Sequence, residues 1–334
     1  MALFIPLFIY PLLHRDKQKK YIFLRLRRTG SLSMEKTTDT HKRSLGLMIN
    51  LRGKLVALDY PMVMGILNIT PDSFYDGGRY ETERSIIERC EQIISEGGRI
   101  IDIGAYSSRP GADDVSEEDE WVRVESALKM IRKEFPDVWL SLDTFRSGIA
   151  LKAVENYGVD IINDIYGGNA DDKMFETIGM LKVPYILMHM QGTPKTMQNA
   201  PEYKDVVADI SLFFSEKVNE LHSYGVNDII LDPGFGFGKT VDHNYELLAR
   251  MKEFALHELP LCIGLSRKSM IYKVLDVTPD ESLNGTTTLN TIALLNGANI
   301  LRVHDVKEAV ESIKLVTHLL RNQGIEKSEN DRIF

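Results

Sequence analysis

The sequence has 334 residues, 43% of them hydrophobic, and a formal net charge of −8. This length allows one large domain with a single core, since a barrel of eight α/β units needs about 250 residues. Residues 1–46 carry ten Lys and Arg against three Asp and Glu, which leaves −15 for the remainder. An acidic remainder argues against a nucleic-acid surface, so no nucleic-acid partner is expected.

The chain opens with an apolar run, 1–13, that contains two prolines. It is shorter than the roughly 20 residues that cross a bilayer, and its basic residues follow the apolar run instead of preceding it as in a secretory signal. We predict that residues 1–46 form a disordered or dispensable extension, with Met34 as an alternative start. A weak membrane-surface anchor is the other interpretation, and no stable membrane association is expected.

Residues 47–60 indicate a short hairpin that turns at Arg52-Gly53 and covers the bottom of the following domain. From Pro61 onward, strand-forming runs alternate with amphipathic stretches of helical period, which is typical of an α/β fold with a parallel sheet. Eight such units predict a (β/α)8 TIM barrel, with an open doubly wound sheet as the alternative. The single barrel domain is predicted at 47–324, followed by a tail at 325–334.

The eight predicted strands are 62–69, 100–106, 138–145, 160–166, 184–190, 228–233, 260–266 and 300–305. The clearest predicted helices are 83–95, 117–133, 206–222, 244–257 and 307–321. Three glycines, Gly97, Gly158 and Gly225, are expected to end helices. The two cysteines, Cys90 and Cys262, lie in apolar runs without a CxxC partner, so buried thiols in the cytoplasm are predicted instead of a disulfide or a zinc site.

Polar residues gather at the C-terminal ends of the predicted strands, which in a barrel form the one rim where active sites are built. These residues are Asn68, Asp102, Asp143, Asn163, Asp164, His189, Asp232, Lys268, Arg302 and His304. Any one of the aspartates could instead cap a helix, and His189 could be a buried, hydrogen-bonded histidine. Their number at one rim favours a site.

Two features of the rim suggest a ligand. The run 232–239 (DPGFGFGK) alternates glycine with phenylalanine, which lets backbone approach a flat ligand while phenyl rings pack on it, although a flexible linker is the alternative. Its spacing is not that of a phosphate loop. Arg302 and His304 are two residues apart in a strand and share a face, which suits a pyrophosphate. The alternative is that Arg302 pairs internally with a rim carboxylate.

These residues resemble the dihydropteroate synthase family over nearly the whole of 48–322. The matching segments are 64–74 (MGILNITPDSF), 102–112 (DIGAYSSRPGA), 141–145 (SLDTF), 162–165 (INDI), 187–198 (LMHMQGTPKTMQ), 232–239 (DPGFGFGK), 266–269 (SRKS) and 302–306 (RVHDV). One motif follows each predicted strand, in order, and this combination is highly specific.

The resemblance implies a transferase of folate biosynthesis that condenses (7,8-dihydropterin-6-yl)methyl diphosphate with 4-aminobenzoate and releases pyrophosphate. It implies that the pterin is bound by Asp143, Asn163, Met188, Asp232, Phe237 and Lys268. It implies that the pyrophosphate is bound by Asn68, Ser108, Arg109, Arg302 and His304, with Asn68 also contacting Mg2+. It implies that 4-aminobenzoate, and hence a sulfonamide drug, is bound by Phe74, Ser107, Pro110, Phe237, Lys268 and Ser269.

Loss of pyrophosphate is expected to come first and to leave a pterin-stabilised cation that the arylamine attacks, so no protein nucleophile is needed. The catalytic residues are expected to be Asp143, Lys268, Arg302, His304 and Arg109. The resemblance also implies a homodimer through the later helices. One departure is visible: Tyr106 stands where the family commonly has Glu, which changes the outer wall of the 4-aminobenzoate pocket.

Three other functions are possible for a barrel with this set of rim residues. A methyltetrahydrofolate-binding methyltransferase shares the pterin-binding barrel but would not need the 107–112 loop, Lys268 or the Arg302 and His304 pair. A Schiff-base aldolase would need Lys268 buried and uncharged, whereas Arg267 is its neighbour in sequence. A barrel that binds a pterin without turning it over is the third, and the full set of rim groups argues against it.

Overall fold

The computed structural model describes residues 47–69, 79–106, 115–192 and 201–322, with the backbone alone at 79–82. The predicted extension at 1–46 and the tail at 325–334 lie outside the described residues. The same is true of five predicted site residues: Phe74, Ser107, Ser108, Arg109 and Pro110.

Eight parallel strands form the predicted barrel. They are β3 (Met62–Asn68), β4 (Ile100–Gly104), β5 (Trp139–Asp143), β6 (Ile161–Asp164), β7 (Tyr185–Met188), β8 (Ile229–Asp232), β9 (Cys262–Ile263) and β10 (Ile300–Val303). The first strand, β3, pairs with both β4 and β10, and a bridge from Leu231 to Leu261 links β8 to β9. The sheet therefore closes on itself, which confirms the TIM barrel and excludes the open doubly wound sheet.

The strands are shorter than predicted by one to five residues. The helices are α1 (Arg79–Ser95), α2 (Glu117–Glu134), α3 (Ser147–Tyr157), α4 (Met174–Leu181), α5 (Val206–Ser223), α6 (Val241–Arg250), α7 (Ser269–Leu275), α8 (Leu283–Leu295) and α9 (Val306–Asn322). The three predicted stops, Gly97, Gly158 and Gly225, have positive φ values of 96°, 58° and 77°. Left-handed backbone is what glycine tolerates best, so this prediction is confirmed.

The prediction of one helix over 244–257 was wrong. The α-helix begins three residues earlier, because the Thr240 side chain accepts a hydrogen bond from the His243 backbone and caps the first turn. It ends at Arg250, and a 3-10 helix, Met251–His257, follows it.

The predicted hairpin at the bottom is confirmed. Strands β1 (Met48–Leu51) and β2 (Lys54–Ala57) are joined by Arg52 and Gly53, both with positive φ, as a two-residue hairpin turn requires. Ile49, Leu51 and Leu58 pack against the residues nearest the N-terminal ends of the barrel strands: Met64, Ile100, Ile161, Ile186, Ile230, Cys262 and Ile300. This apolar layer fills the lower half of the barrel interior.

Within the described residues, both cysteines are free and buried, as predicted. None of the helices in this part of the chain is long and apolar enough to cross a membrane.

Candidate active site

The upper half of the barrel interior is polar. Side chains in a strand point to the same face every second residue, so the residue two positions beyond each member of the bottom apolar layer also faces inward. These second-layer residues include Asp102, Asn163, Met188, Asp232 and Arg302. Four of them, all except Arg302, are at most 5% exposed. A closed, mostly apolar barrel thus carries one concentrated polar layer below its rim.

A row of paired residues crosses four neighbouring strands at the mouth. Asn68 is paired in register with Gly104, Gly104 with Asp143, and Asp143 with Asn163. Asn68 is exposed at the end of β3, whereas Asn163 is buried and donates to an oxygen of Asp102 over 3.3 Å. Three residues of this row were predicted as site residues, and the strand register brings them together.

Arg302 lies between two carboxylates. Its Nε donates to Asp102 over 2.7 Å, and its Nη2 donates to Asp143 over 3.0 Å. The interpretation that Arg302 pairs internally with a rim carboxylate is therefore confirmed. None of the described residues accepts a hydrogen bond from Nη1 of Arg302, so one edge of the guanidinium stays available for a further acceptor.

Burial sets the protonation of this network. Removal from water raises the pKa of Asp143 to about 7, although Arg302 favours its charged form. Burial also opposes the charge on Arg302, but the two carboxylates outweigh it and raise the pKa of Arg302 above its ordinary value. At neutral pH, the arginine is charged and Asp143 is poised between its two forms.

A second pair of opposite charges, Lys268 and Asp232, lies next to Arg302, because the strand before Lys268 pairs with the strand of Arg302. Lys268, in the loop after β9, donates from Nζ to the backbone oxygen of Phe235 over 2.5 Å. The same nitrogen stands 4.8 Å from the centre of the Phe237 ring. Burial lowers the pKa of Lys268 to about 8, and Asp232 partly restores it. Burial raises the pKa of Asp232, opposed chiefly by Lys268.

An apolar wall adjoins these charges. Met188, Ile165 and Met190 form a small buried cluster, against which Phe237 and Tyr166 pack. Two of the predicted pterin residues, Met188 and Phe237, thus belong to one surface. A flat heterocycle with a polar edge needs this combination of an apolar face and fixed donors and acceptors.

The glycine–phenylalanine run differs in part from its prediction. Phe235 is fully buried in the main core, so only Phe237 is available to a ligand. Gly234 serves close packing, because a Cβ built there would stand 1.9 Å from the backbone oxygen of His189. Gly236 is the glycine that faces the site, with its Cβ position 3.3 Å from the Lys268 side chain.

The Arg267 side chain points away from Lys268, although the two residues are neighbours in sequence. Its backbone is left-handed, with a φ of 57°, and its guanidinium pairs with Asp305 over 2.7 Å and with Asp280 over 2.9 Å. The argument from Arg267 against an aldolase was therefore wrong. Lys268 itself is hydrogen-bonded as a donor.

His304 and Ser269 complete the described part of the rim. His304 Nδ1 lies 3.0 Å from the hydroxyl of Ser266. Burial and the nearby Arg267 and Arg302 lower the pKa of His304 to about 4, so it is neutral at physiological pH without a ligand. Ser269 is half-buried at the first turn of α7, directly after Lys268.

Tyr106 is the last described residue before the loop at 107–114. Its ring meets the Phe145 ring edge to face at 5.1 Å, and the Arg146 guanidinium lies 5.9 Å from its centre. Arg146 also donates to the backbone oxygen of Val115, the first described residue after the loop, and pairs with the buried Glu120. One arginine therefore contacts the described residues on both sides of 107–114.

Three residues of the site were not given a role from the sequence. Asp102 holds Arg302, but one of its buried oxygens has no hydrogen-bond partner in the described part of the chain; the same is true of the buried hydroxyl of Ser141, its register neighbour. Asp102 was predicted at the rim, and alternation could also have predicted that it faces inward, since it lies two residues beyond the bottom-layer Ile100. Lys239 is buried among backbone oxygens, and a lysine at the end of a glycine-rich run carries no signal of burial.

Comparison with known proteins agrees with this geometry. The family described as pterin binding enzyme matches residues 64–304. The dihydropteroate synthase of Escherichia coli K12 is 44% identical over 267 residues, which are 79% of this chain and 94% of that protein.

Two solved structures have the same fold. The Yersinia pestis dihydropteroate synthase in complex with a sulfonamide drug superposes with a TM-score of 0.77 at 41% identity, covering 82% of this chain and 100% of that one. The Xanthomonas albilineans dihydropteroate synthase with 4-aminobenzoic acid gives 0.75 at 33% identity, covering 82% and 98%.

Proposed function

The chain belongs to the dihydropteroate synthase family of pterin-binding enzymes, and we propose that the polar layer below the rim is its active site. The enzyme condenses (7,8-dihydropterin-6-yl)methyl diphosphate with 4-aminobenzoate to give 7,8-dihydropteroate and pyrophosphate. The observation that carries the site proposal is the Arg302 bridge between Asp102 and Asp143, which sets a charged guanidinium in the polar layer below the rim.

The pterin is bound inside the barrel. Its amide and guanidine-like edge needs paired acceptors and donors, which Asp143, Asn163, Asp232 and Lys268 supply, while Met188 and Phe237 pack on its faces. The support is that Asn163 and Asp232 are buried, that Asp143 and Lys268 are half-buried, and that an apolar wall adjoins them. In such a site, a charge-assisted hydrogen bond is stronger than it is in water.

The pyrophosphate is bound at the mouth by Asn68, Arg302 and His304, and by Ser108 and Arg109 from outside the described residues. The uncommitted Nη1 of Arg302 supports this assignment. His304 enters as a neutral hydrogen-bond donor, because its pKa is lowered to about 4. An arriving diphosphate would raise that pKa and strengthen the contact.

Mg2+ is the expected cofactor, with Asn68 as its protein contact. Among the described residues, no three His, Cys, Asp or Glu side chains gather closely enough to hold a metal ion. Magnesium that is bound mainly by substrate phosphates and water needs few protein ligands, and the exposed Asn68 amide at the rim suits that arrangement. When bound, it would neutralise charge on the departing pyrophosphate.

We infer that the C–O bond to pyrophosphate breaks first. The bonding pair leaves with the pyrophosphate, whose growing charge Arg302, His304 and Arg109 stabilise, while Asp143 and Asp232 stabilise the electron-poor pterin. The neutral amine of 4-aminobenzoate then attacks the exocyclic carbon and releases a proton. Its binding site is proposed at Phe237, Lys268 and Ser269, together with Phe74, Ser107 and Pro110 from outside the described residues.

The test is pyrophosphate release by the purified protein with dihydropterin diphosphate and Mg2+, with and without 4-aminobenzoate. We expect release together with dihydropteroate formation. Lys268→Ala should lower kcat/KM by about 100-fold, the usual cost of removing one well-placed donor, whereas the exposed Lys273→Ala should not. Pterin binding without release would overturn the proposal and favour a methyl-transfer or binding-only protein.

We also propose a homodimer and a cytoplasmic location. The support for the dimer is apolar surface on α8 and α9, where Leu315 is 73% exposed and Leu319 48%. The support for the cytoplasm is the pair of free, buried thiols, which suits a reducing compartment.

A further inference from the structure

Lys239 ends the glycine–phenylalanine run and is only 3% exposed. Its Nζ lies 2.8 Å from the backbone oxygen of Gly234, 3.0 Å from that of Phe237 and 3.1 Å from Nδ1 of His189. An ammonium group has three N–H donors, so these three contacts use all of them. Burial lowers the pKa of Lys239 to about 7, and these contacts, together with the charge of Asp232, favour its protonated form.

The partner histidine is neutral. Burial and the neighbouring Lys239 lower the pKa of His189 to about 2, so its Nδ1 accepts from the ammonium and Nε2 carries the proton. No carboxylate pairs directly with Lys239 among the described residues. The ammonium is therefore held by backbone oxygens and one ring nitrogen, and its contacts are all to the ends of β7 and β8.

The loop that Lys239 holds has few side chains to anchor it; besides Lys239, the Gly236 backbone N–H donates to Asn244 over 2.7 Å and the Gly238 oxygen accepts from Tyr203 over 2.8 Å. Gly234, Gly236 and Gly238 all have positive φ, and glycine-rich backbone loses much conformational freedom when it is ordered. Gly234 and Gly238 leave no space for a side chain, since their Cβ positions are 1.9 Å and 2.5 Å from the backbone oxygens of His189 and Gln191. Lys239 binds the oxygens at both ends of the turn formed by residues 234–237.

This turn carries the groups that face the site. The Phe235 oxygen, between the two oxygens held by Lys239, accepts the hydrogen bond from Lys268, and the Phe237 ring lies beside the same ammonium. The Gly234 backbone N–H donates to Asp232 over 2.7 Å. A shift of this turn would therefore move the acceptor of Lys268, the ring of Phe237 and a donor to Asp232 together.

We propose that Lys239 is a positioning residue for pterin binding: it fixes the 234–237 turn so that the Phe235 oxygen orients Lys268 and the Phe237 ring faces the pterin. This inference rests on the proposed function for the identity of the ligand. Lys239 touches neither substrate. It acts through Lys268, and that dependence makes the proposal testable.

The experiment measures binding of 6-hydroxymethyl-7,8-dihydropterin, an alcohol that lacks the leaving group, to the full chain by calorimetry. Lys239→Met keeps the length of the side chain and removes its charge and donors. We expect Kd to rise about tenfold, or about 1.4 kcal/mol. In the Lys268→Ala background, the same change should raise Kd by a clearly smaller factor, because Lys268, one of the two groups that Lys239 positions, is absent.

Lys252→Met, at an exposed lysine, is the matched control and should leave Kd unchanged. Thermal melting of each variant reports folding, and Lys239→Gln, which keeps two N–H donors, serves if the Met variant unfolds. An unchanged Kd, or the same fold-change in both backgrounds, would overturn the proposal. Turnover of the wild type tests the proposed function separately, since the alcohol cannot react.

Discussion

Burial moves the two central titrating residues toward each other in pKa. Asp143 rises to about 7 and Lys268 falls to about 8, because each loses water around its charged form. Their roles need opposite protonation states. The carboxylate must be ionised to accept from the pterin edge, and the amine must be protonated to donate.

We therefore expect kcat/KM for the pterin diphosphate to depend on pH as a bell. The value should rise as Asp143 loses its proton near pH 7 and fall as Lys268 loses its proton near pH 8. The measurement is the steady-state rate at saturating 4-aminobenzoate over a pH range that includes both transitions, from which the rise and the fall of kcat/KM are obtained.

The matched variant is Lys268→Arg, since a guanidinium stays charged throughout this range. Its alkaline limb should disappear even if its maximal rate is low, while Lys273→Arg on the exposed face of α7 should keep the wild-type profile. A profile of Lys268→Arg that still falls above pH 8 would assign that limb to another group.

At the scale of elements, the loop after β8 lies against the end of β7 with no room for side chains at Gly234. Gly225, at the end of α5, has a similar φ of 77° but open space around its Cβ position. Substituting these two glycines by alanine therefore separates two contributions to the loss of stability: the strain of a left-handed backbone, present at both, and a steric clash, present only at Gly234.

Gly225→Ala should cost about 1 kcal/mol of the free energy of unfolding, from backbone strain alone. Gly234→Ala should cost at least about 2 kcal/mol more, because a Cβ at 1.9 Å from the His189 oxygen forces the two elements apart. Urea unfolding followed by circular dichroism measures both, and equal losses would mean that the loop can move away freely. The Gly234 variant should also lose pterin affinity.

At the scale of the whole molecule, the helical shell is not uniformly polar. Ile292 and Leu295 on α8 are each 38% exposed, and the two helices α8 and α9 pack on each other. An apolar area of this kind on one side of a barrel is typical of a subunit interface.

We expect the wild type to sediment as a dimer at micromolar concentration and Leu315→Glu on α9 to sediment as a monomer, because burying an unpaired carboxylate opposes association. Leu256→Glu, at a leucine that is 64% exposed outside these helices, is the control and should stay dimeric. A monomeric wild type would contradict the proposed assembly.

The sequence by itself determined the barrel, the hairpin below it and the rim that carries the chemistry. These follow from repeats of two and 3.6 residues, from glycine stops and from short motifs, all of which act over a few residues. The family could be inferred from the sequence for the same reason, since each of its motifs spans only a few consecutive residues. The start of the helix predicted at 244–257 differed because Thr240 caps the first turn, which is also a local feature of the sequence.

Only the tertiary structure decided how the site residues meet. Asp102 and Arg302 are 200 positions apart, and they touch because the barrel closes through β3 and β10. Closure also placed Phe235 in the core, turned Arg267 away from Lys268 and buried Lys239. The burial that shifts the pKa values of Asp143 and Lys268 arises from all eight strands together. Local patterns specify which face a side chain points to, whereas distance, partner and solvent exposure are properties of the closed barrel.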